Sequence, residues 1–189
     1  MYFSNSSFSR KKPILSDKTL MSTISEDEDF TDFTLESEEG AKFPCHRNVL
    51  AAQSSVLRRM FLSPMEERET SRLKMTYKAD IVRKFLKFFY KRKLEEEEAE
   101  GNLISLLELS EKYNLPHLKE EVEELAIRKM TVVNMVDMFL QADLHSAPKL
   151  RTAAEVFIRT NRMKVKEDFD ELFKLEKDQL KKIMSICIV

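Results

Sequence analysis

Apolar side chains recur along this chain in two rhythms, and the rhythms are kept apart. Between residues 30 and 37, Phe33 and Leu35 alternate with polar residues, as do Leu73 and Met75 further on. Alternation by two turns one face of an extended strand toward a core. From Asn102 onward the apolar residues recur at three and four residues instead, the rhythm of a helix. A few strands near the front and helices filling the rest predict an α+β fold. A doubly wound sheet would interleave the two.

The punctuation supports this order. Residues 1–16 are rich in Ser, Asn and Lys with no periodicity and read as a mobile tail. Asp17 is placed to cap a short helix carrying Leu20, Met21 and Ile24. Gly40 stands where a hairpin would turn, and residues 41–45 return as a strand. Pro44 offers no amide donor there, so that strand belongs at an edge or a bulge. Helical spacing begins at His46 with Val49, Leu50, Ala51 and Ala52. Ser54 and Ser55 interrupt it and can cap a second helix with Val56, Leu57, Met60 and Phe61, which Ser63-Pro64 stops. Asp80 opens a strongly apolar helix with Ile81, Val82, Phe85, Leu86, Phe88 and Phe89. After basic residues 91–93, acidic residues 95–98 and Gly101, Leu103, Leu106, Leu107 and Ser110 form one face. Pro116 suits the first turn of the next helix, in which Glu124 and Arg128 are spaced for an i,i+4 pair. Thr131 is expected to cap a helix through Leu140, and Ser146 and Pro148 to open another. Residues 169–184 suggest a broken helical pair.

The inventory excludes several chemistries. There are only two glycines in 189 residues, Gly40 and Gly101, so neither a dinucleotide fingerprint nor a phosphate loop can be built. Thirty-two basic residues against 33 acidic ones leave a net charge of −1 and no drive toward nucleic acid. No run approaches the ~20 apolar residues of a membrane span. His46, His117 and His145 form no ligand spacing with one another or with a cysteine, so no metal or other cofactor is expected. Cys45-His46 is read as a buried thiol beside a hydrogen-bonded imidazole rather than a nucleophile pair. No carboxylate pair stands out, and no catalytic residue is assigned. Cys45 and Cys187 allow at most one disulfide, and reduced thiols in the nucleus, the cytoplasm or both are the expectation. Cys187 lies third from the end, where prenylation wants a cysteine fourth.

Several ordered motifs resemble the BTB/POZ family. They are residues 30–35 (Phe-Thr-Asp-Phe-Thr-Leu), residues 43–54 (Phe-Pro-Cys-His-Arg-Asn-Val-Leu-Ala-Ala-Gln-Ser), Met60-Phe61, Phe88-Phe89-Tyr90, and residues 110–118 (Ser-Glu-Lys-Tyr-Asn-Leu-Pro-His-Leu). Residues 142–147 followed by Leu150 look like the helical pair, or 3-box, after the BTB fold of speckle-type POZ proteins. The resemblance implies a BTB/POZ domain over residues 17–128, a 3-box pair over 129–163 and partial BACK-like helices over 164–189, behind the 1–16 tail. One departure is Tyr90-Lys91-Arg92, where the family usually has Tyr-Thr-Gly, so a differently shaped loop is expected there.

The function implied is that of a non-catalytic adaptor that homodimerises and binds the third cullin, assembling a ubiquitin ligase. The family's cullin contact is a hydrophobic-x-Glu motif after the second BTB helix. Met65-Glu66-Glu67 matches it, with Met65 filling a pocket and Glu67 making the polar contact. Leu20, Met21, Ile24 and Val49 fall at hydrophobic dimer positions, and Asp32 and Arg47 at charged ones. Plain core burial is the alternative for Ile24 and Val49, and a strand-end hydrogen bond for Asp32. Speckle-type proteins carry a substrate-reading MATH domain before the BTB, whereas only a short tail precedes residue 17 here. A second expectation is therefore a regulatory partner that pairs with full-length MATH-BTB adaptors. A transcriptional BTB would need a DNA-binding module that these residues do not contain.

Overall fold

In the computed structural model the described residues are 20–64, 66–95, 101–167 and 175–188. The tail, Asp17, Met65, the acidic residues 96–98 and the apolar Phe169, Leu172 and Phe173 lie outside them.

Three short strands form the sheet: β1 (Phe33–Glu36), β2 (Lys42–Cys45) and β3 (Arg72–Lys74), in the order β2-β1-β3. β1 pairs antiparallel with β2, Phe33 opposite Cys45, and parallel with β3, Leu35 opposite Leu73. The alternation works as expected: Phe33, Leu35, Cys45 and Leu73 are buried on one face. Gly40 turns the hairpin at φ 81°, and the turn closes through Ser37 N–H to Ala41 O at 2.9 Å. Pro44 lies in β2 at the edge, where a missing donor costs no ladder bond.

Helices cover this sheet and build the rest. α1 (Leu20–Glu26) packs on α5 (Ala79–Lys91). Between them lie α2 (Arg47–Gln53), α3 (Ser55–Leu62) and the single-turn α4 (Glu66–Thr70). α5 is the centre of the core. Ile81, Val82, Phe85, Phe88, Phe89 and Tyr90 are all buried, at the spacing of one wide helical face. Phe85 meets Phe89 edge-on at 5.2 Å and lies 5.4 Å from Tyr113. α6 (Leu103–Lys112) and α7 (Pro116–Arg128) form an antiparallel pair behind it, and Pro116 occupies the first turn of α7 as expected. α8 (Met135–Leu144) and α9 (Pro148–Thr160) extend the same core through Met138, Ala142 and Leu150. α10 (Arg162–Glu167) follows. Finally α11 (Lys177–Ile188) closes a second apolar cluster, in which Ile183, Ile186 and Cys187 meet Met135, Phe139, Ala154 and Ile158.

Two local expectations change. Thr131 does not cap a helix; α8 begins at Met135. Asn134 Oδ1 accepts from Thr131 N–H at 2.7 Å while its Nδ2 donates to Lys129 O at 3.1 Å, which holds the intervening residues in a turn. Glu124 sits 4.0 Å from Lys149 on α9 rather than pairing with Arg128, because α9 crosses α7 at that face. At the end of α5 Arg92 adopts φ 54° and its N–H reaches Phe88 O at 2.8 Å. An arginine thus accepts the left-handed conformation that glycine adopts without strain.

Candidate functional site

The sequence assigned two surfaces, one around α1 and the start of α2 and one after α3. The first N–H of α2, on Arg47, donates to Asp32 Oδ1 at 2.8 Å, so Asp32 supplies the acceptor that the helix N-terminus needs. Before it, Cys45 and His46 are both buried. The Cys45 thiol lies 3.6 Å from Phe33 O, and burial pushes its pKa up to about 12. It stays protonated near neutrality and is a poor nucleophile. His46 Nδ1 is 2.8 Å from the Tyr90 hydroxyl, which also accepts from His46 N–H at 3.2 Å. These contacts lock the β2–α2 corner onto α5. Among the described residues no three His, Cys, Asp or Glu side chains gather as metal ligands would, and no helix is long and apolar enough to cross a membrane.

The residues assigned to a dimer face divide by exposure. Leu20 is 76% exposed, whereas Met21 and Ile24 are half-buried against the core. Val49 is 8% exposed within a single chain and has little area left to bury. Asp32 and Arg47 already have partners in their own chain.

The second surface is the corner between α3 and β3. Ser54 caps α3: its hydroxyl accepts Leu57 N–H at 3.0 Å and donates to Tyr113 O at 2.6 Å, tying α3 to the end of α6. Asn114 repeats the tie at the surface, its Nδ2 donating to Ser55 Oγ at 2.8 Å. α3 then runs to Leu62, which is 68% exposed. Met65 follows and lies outside the described residues. Glu67 stands in the first turn of α4, half-buried, and lines an open cleft of about 260 Å³ with Glu66, Thr70, Arg72 and Lys74. A carboxylate at a helix N-terminal turn is favourably placed against the macrodipole. α4 buries none of its side chains.

Sequence reasoning overlooked Leu62 and Ser71. Leu62 directly follows the buried Phe61, and one residue along a helix turns it about 100° away, so the periodicity itself marked it as outward. Ser71, at φ 55°, joins α4 to β3. A serine in that conformation leaves no signature in a single sequence.

Comparison with known proteins gives the family. Residues 21–130, more than half of the chain, match the family model of the BTB/POZ domain. The chain belongs to the BTB/POZ family, with an α+β BTB fold and a helical extension. Among similar proteins, Kelch repeat and BTB domain-containing protein 8 of Xenopus tropicalis is 28% identical over 156 residues, 82% of this chain and 25% of that protein. Kelch-like protein 23 is 32% identical in Pongo abelii and 31% in Homo sapiens, over 64% of this chain and 22% of each relative. The chain thus spans about a quarter of the length of these relatives. The BTB domain of zebrafish PATZ1 aligns at 23% identity and a TM-score of 0.45, covering 57% of this chain and 84% of that one. The Kelch repeat and Kelch-like relatives share the BTB/POZ domain with this chain, so membership in the BTB/POZ family is what is shown, and a place in its speckle-type branch is not.

Proposed function

We propose that this chain is a non-catalytic BTB adaptor that pairs with a second BTB domain and docks the third cullin at the α3–α4 corner, helping to assemble a ubiquitin ligase. The carrying observation is the placement of Glu67. It occupies the hydrophobic-x-Glu position after α3, on a helix with no side chain committed to the core, beside an open cleft. The likeness to cullin adaptors at Met65-Glu66-Glu67 and the Kelch-like relatives support the same reading. In this role the chain's own residues make and break no bonds. They bury apolar area and position a polar contact, in the nucleus or the cytoplasm.

The dimer face in this reading rests on α1. Leu20 has the apolar area to lose, while Met21 and Ile24 on the same helix are half-buried against the core and Val49 on α2 is buried. Sedimentation of the chain with the N-terminal domain of the third cullin tests both contacts at once. A complex of two chains and two cullin domains is expected, and Leu20→Asp should reduce it to one of each. A well-folded dimer that takes up no cullin would overturn the adaptor reading and leave a dimerisation module, the role a regulatory partner would need.

A further inference from the structure

α4 is five residues long and buries no side chain. A helix that short is not stable alone. Apolar burial does not place it, so directional bonds from its neighbours must. Arg68 Nη1 donates to Leu62 O at 3.2 Å, joining α4 to the end of α3. At its far end Thr70 Oγ1 lies 3.4 Å from Arg72 O of β3, and a further tie comes from α2. Arg47 Nη2 donates to Ser71 Oγ at 2.6 Å and to Arg68 O at 3.4 Å, so one guanidinium nitrogen bridges α4 and the residue that ends it.

The rest of Arg47 is arranged to hold that nitrogen still. Its guanidinium carbon lies 5.1 Å from the centre of the Phe33 ring and 5.7 Å from that of Phe61, and the two rings meet at 4.7 Å. Its backbone N–H is held by Asp32. Nε is buried with no hydrogen-bond partner among the described residues, so the bonds to α4 run through Nη2. Ser71 is fixed in turn: it sits at φ 55°, and its carbonyl accepts Thr34 N–H at 3.0 Å from β1.

We propose that Arg47 is the positioning residue of the α4 surface: its guanidinium, clamped on Phe33 and Phe61, holds Arg68 and Ser71, and thereby Glu67, in place for the partner. This deepens the adaptor reading, on which its effect on cullin affinity rests. It also moves Arg47 from the dimer face, where sequence resemblance put it, to support of the other surface.

The test compares the full chain with Arg47→Met, Arg47→Lys and Ser71→Ala. Methionine keeps an apolar filling between Phe33 and Phe61 and removes the donors. Lysine keeps the charge but lacks the rigid fork. Three readouts separate the roles: backbone amide order parameters for residues 66–71, the dimer dissociation constant, and affinity for the N-terminal domain of the third cullin. In Arg47→Met the order parameters should fall from about 0.85 to below about 0.6. Cullin affinity should drop roughly ten-fold, while dimerisation stays unchanged. Arg47→Lys should not restore either property, and adding Ser71→Ala to Arg47→Met should cost little more, because one bond is shared. Unchanged order in α4 with a weakened dimer would overturn the proposal and return Arg47 to the dimer face. Unchanged cullin affinity with a loosened α4 would overturn it equally. If the unaltered chain binds no cullin, the adaptor reading fails, and the order parameters still decide whether Arg47 places α4.

Discussion

α4 and α5 stand only a few residues apart in sequence and are held by opposite means. α5 buries six side chains, three of them phenylalanines, and is placed by non-directional apolar packing. α4 buries none and is placed by a few hydrogen bonds from Arg47, Arg68 and Thr70. The first arrangement supplies stability and tolerates no loss of volume. The second contributes little to stability but presents side chains to solvent in a defined position. A chain that must fold and also offer a surface can divide the two demands in this way, so that changes to the surface leave the core intact.

The contrast can be broken most forcefully at its packed end. Phe85→Ala opens a cavity beneath α5 between Phe89 and Tyr113, and should cost about 3–5 kcal/mol by urea unfolding. A loss below ~1 kcal/mol would mean that α5 is not the centre of the core. Ser54→Ala removes a helix cap and leaves the Tyr113 carbonyl without its donor. It should cost about 1–3 kcal/mol in the same assay.

The buried thiol sharpens the comparison through pH. Cys45 keeps its proton in the folded chain up to about 12, whereas the unfolded thiol ionises near 9. Its contribution is therefore whole below pH 9 and is lost as pH rises toward 12. Burial raises Tyr90 and Tyr113 to about 12 as well, adding to the alkaline loss from about pH 10 upward. Denaturation midpoints should fall from pH 9 to 11, and less steeply in Cys45→Ala. An equal slope in that variant would remove the thiol from the account.

Smaller effects mark the ends of the two helices. Arg92→Gly relaxes a left-handed residue at the end of α5 and should stabilise by up to ~1 kcal/mol. Glu67→Ala on α4 should change stability by less than ~0.5 kcal/mol. If it destabilises as much as Ser54→Ala, α4 is part of the core and the contrast fails.

What sequence reveals follows the same division. α5 was legible because burial writes a periodic pattern, and Pro44 and Gly40 marked an edge and a turn because their backbones permit few alternatives. The α3 cap was legible in Ser54. The start of α8 was not, since Asn134 holds a turn through its side chain where Thr131 looked like a cap. Glu67 is singled out only through family resemblance, because an apolar-x-Glu triplet has no periodicity of its own. The support beneath it was hidden for a further reason. Arg47 and Ser71 meet across 24 residues, and nothing in either residue type announces the other. Long-range polar contacts of this kind exist only once the packed elements have brought them together.

The most direct measurement is a titration of the purified chain with the N-terminal domain of the third cullin, beside the Met65→Ala/Glu67→Ala double variant. A dissociation constant below about 1 μM is expected for the unaltered chain. The double variant should bind at least ten-fold more weakly with its thermal midpoint and dimerisation unchanged. Equal affinity in the two proteins, or no binding by a folded dimer, would contradict the adaptor reading.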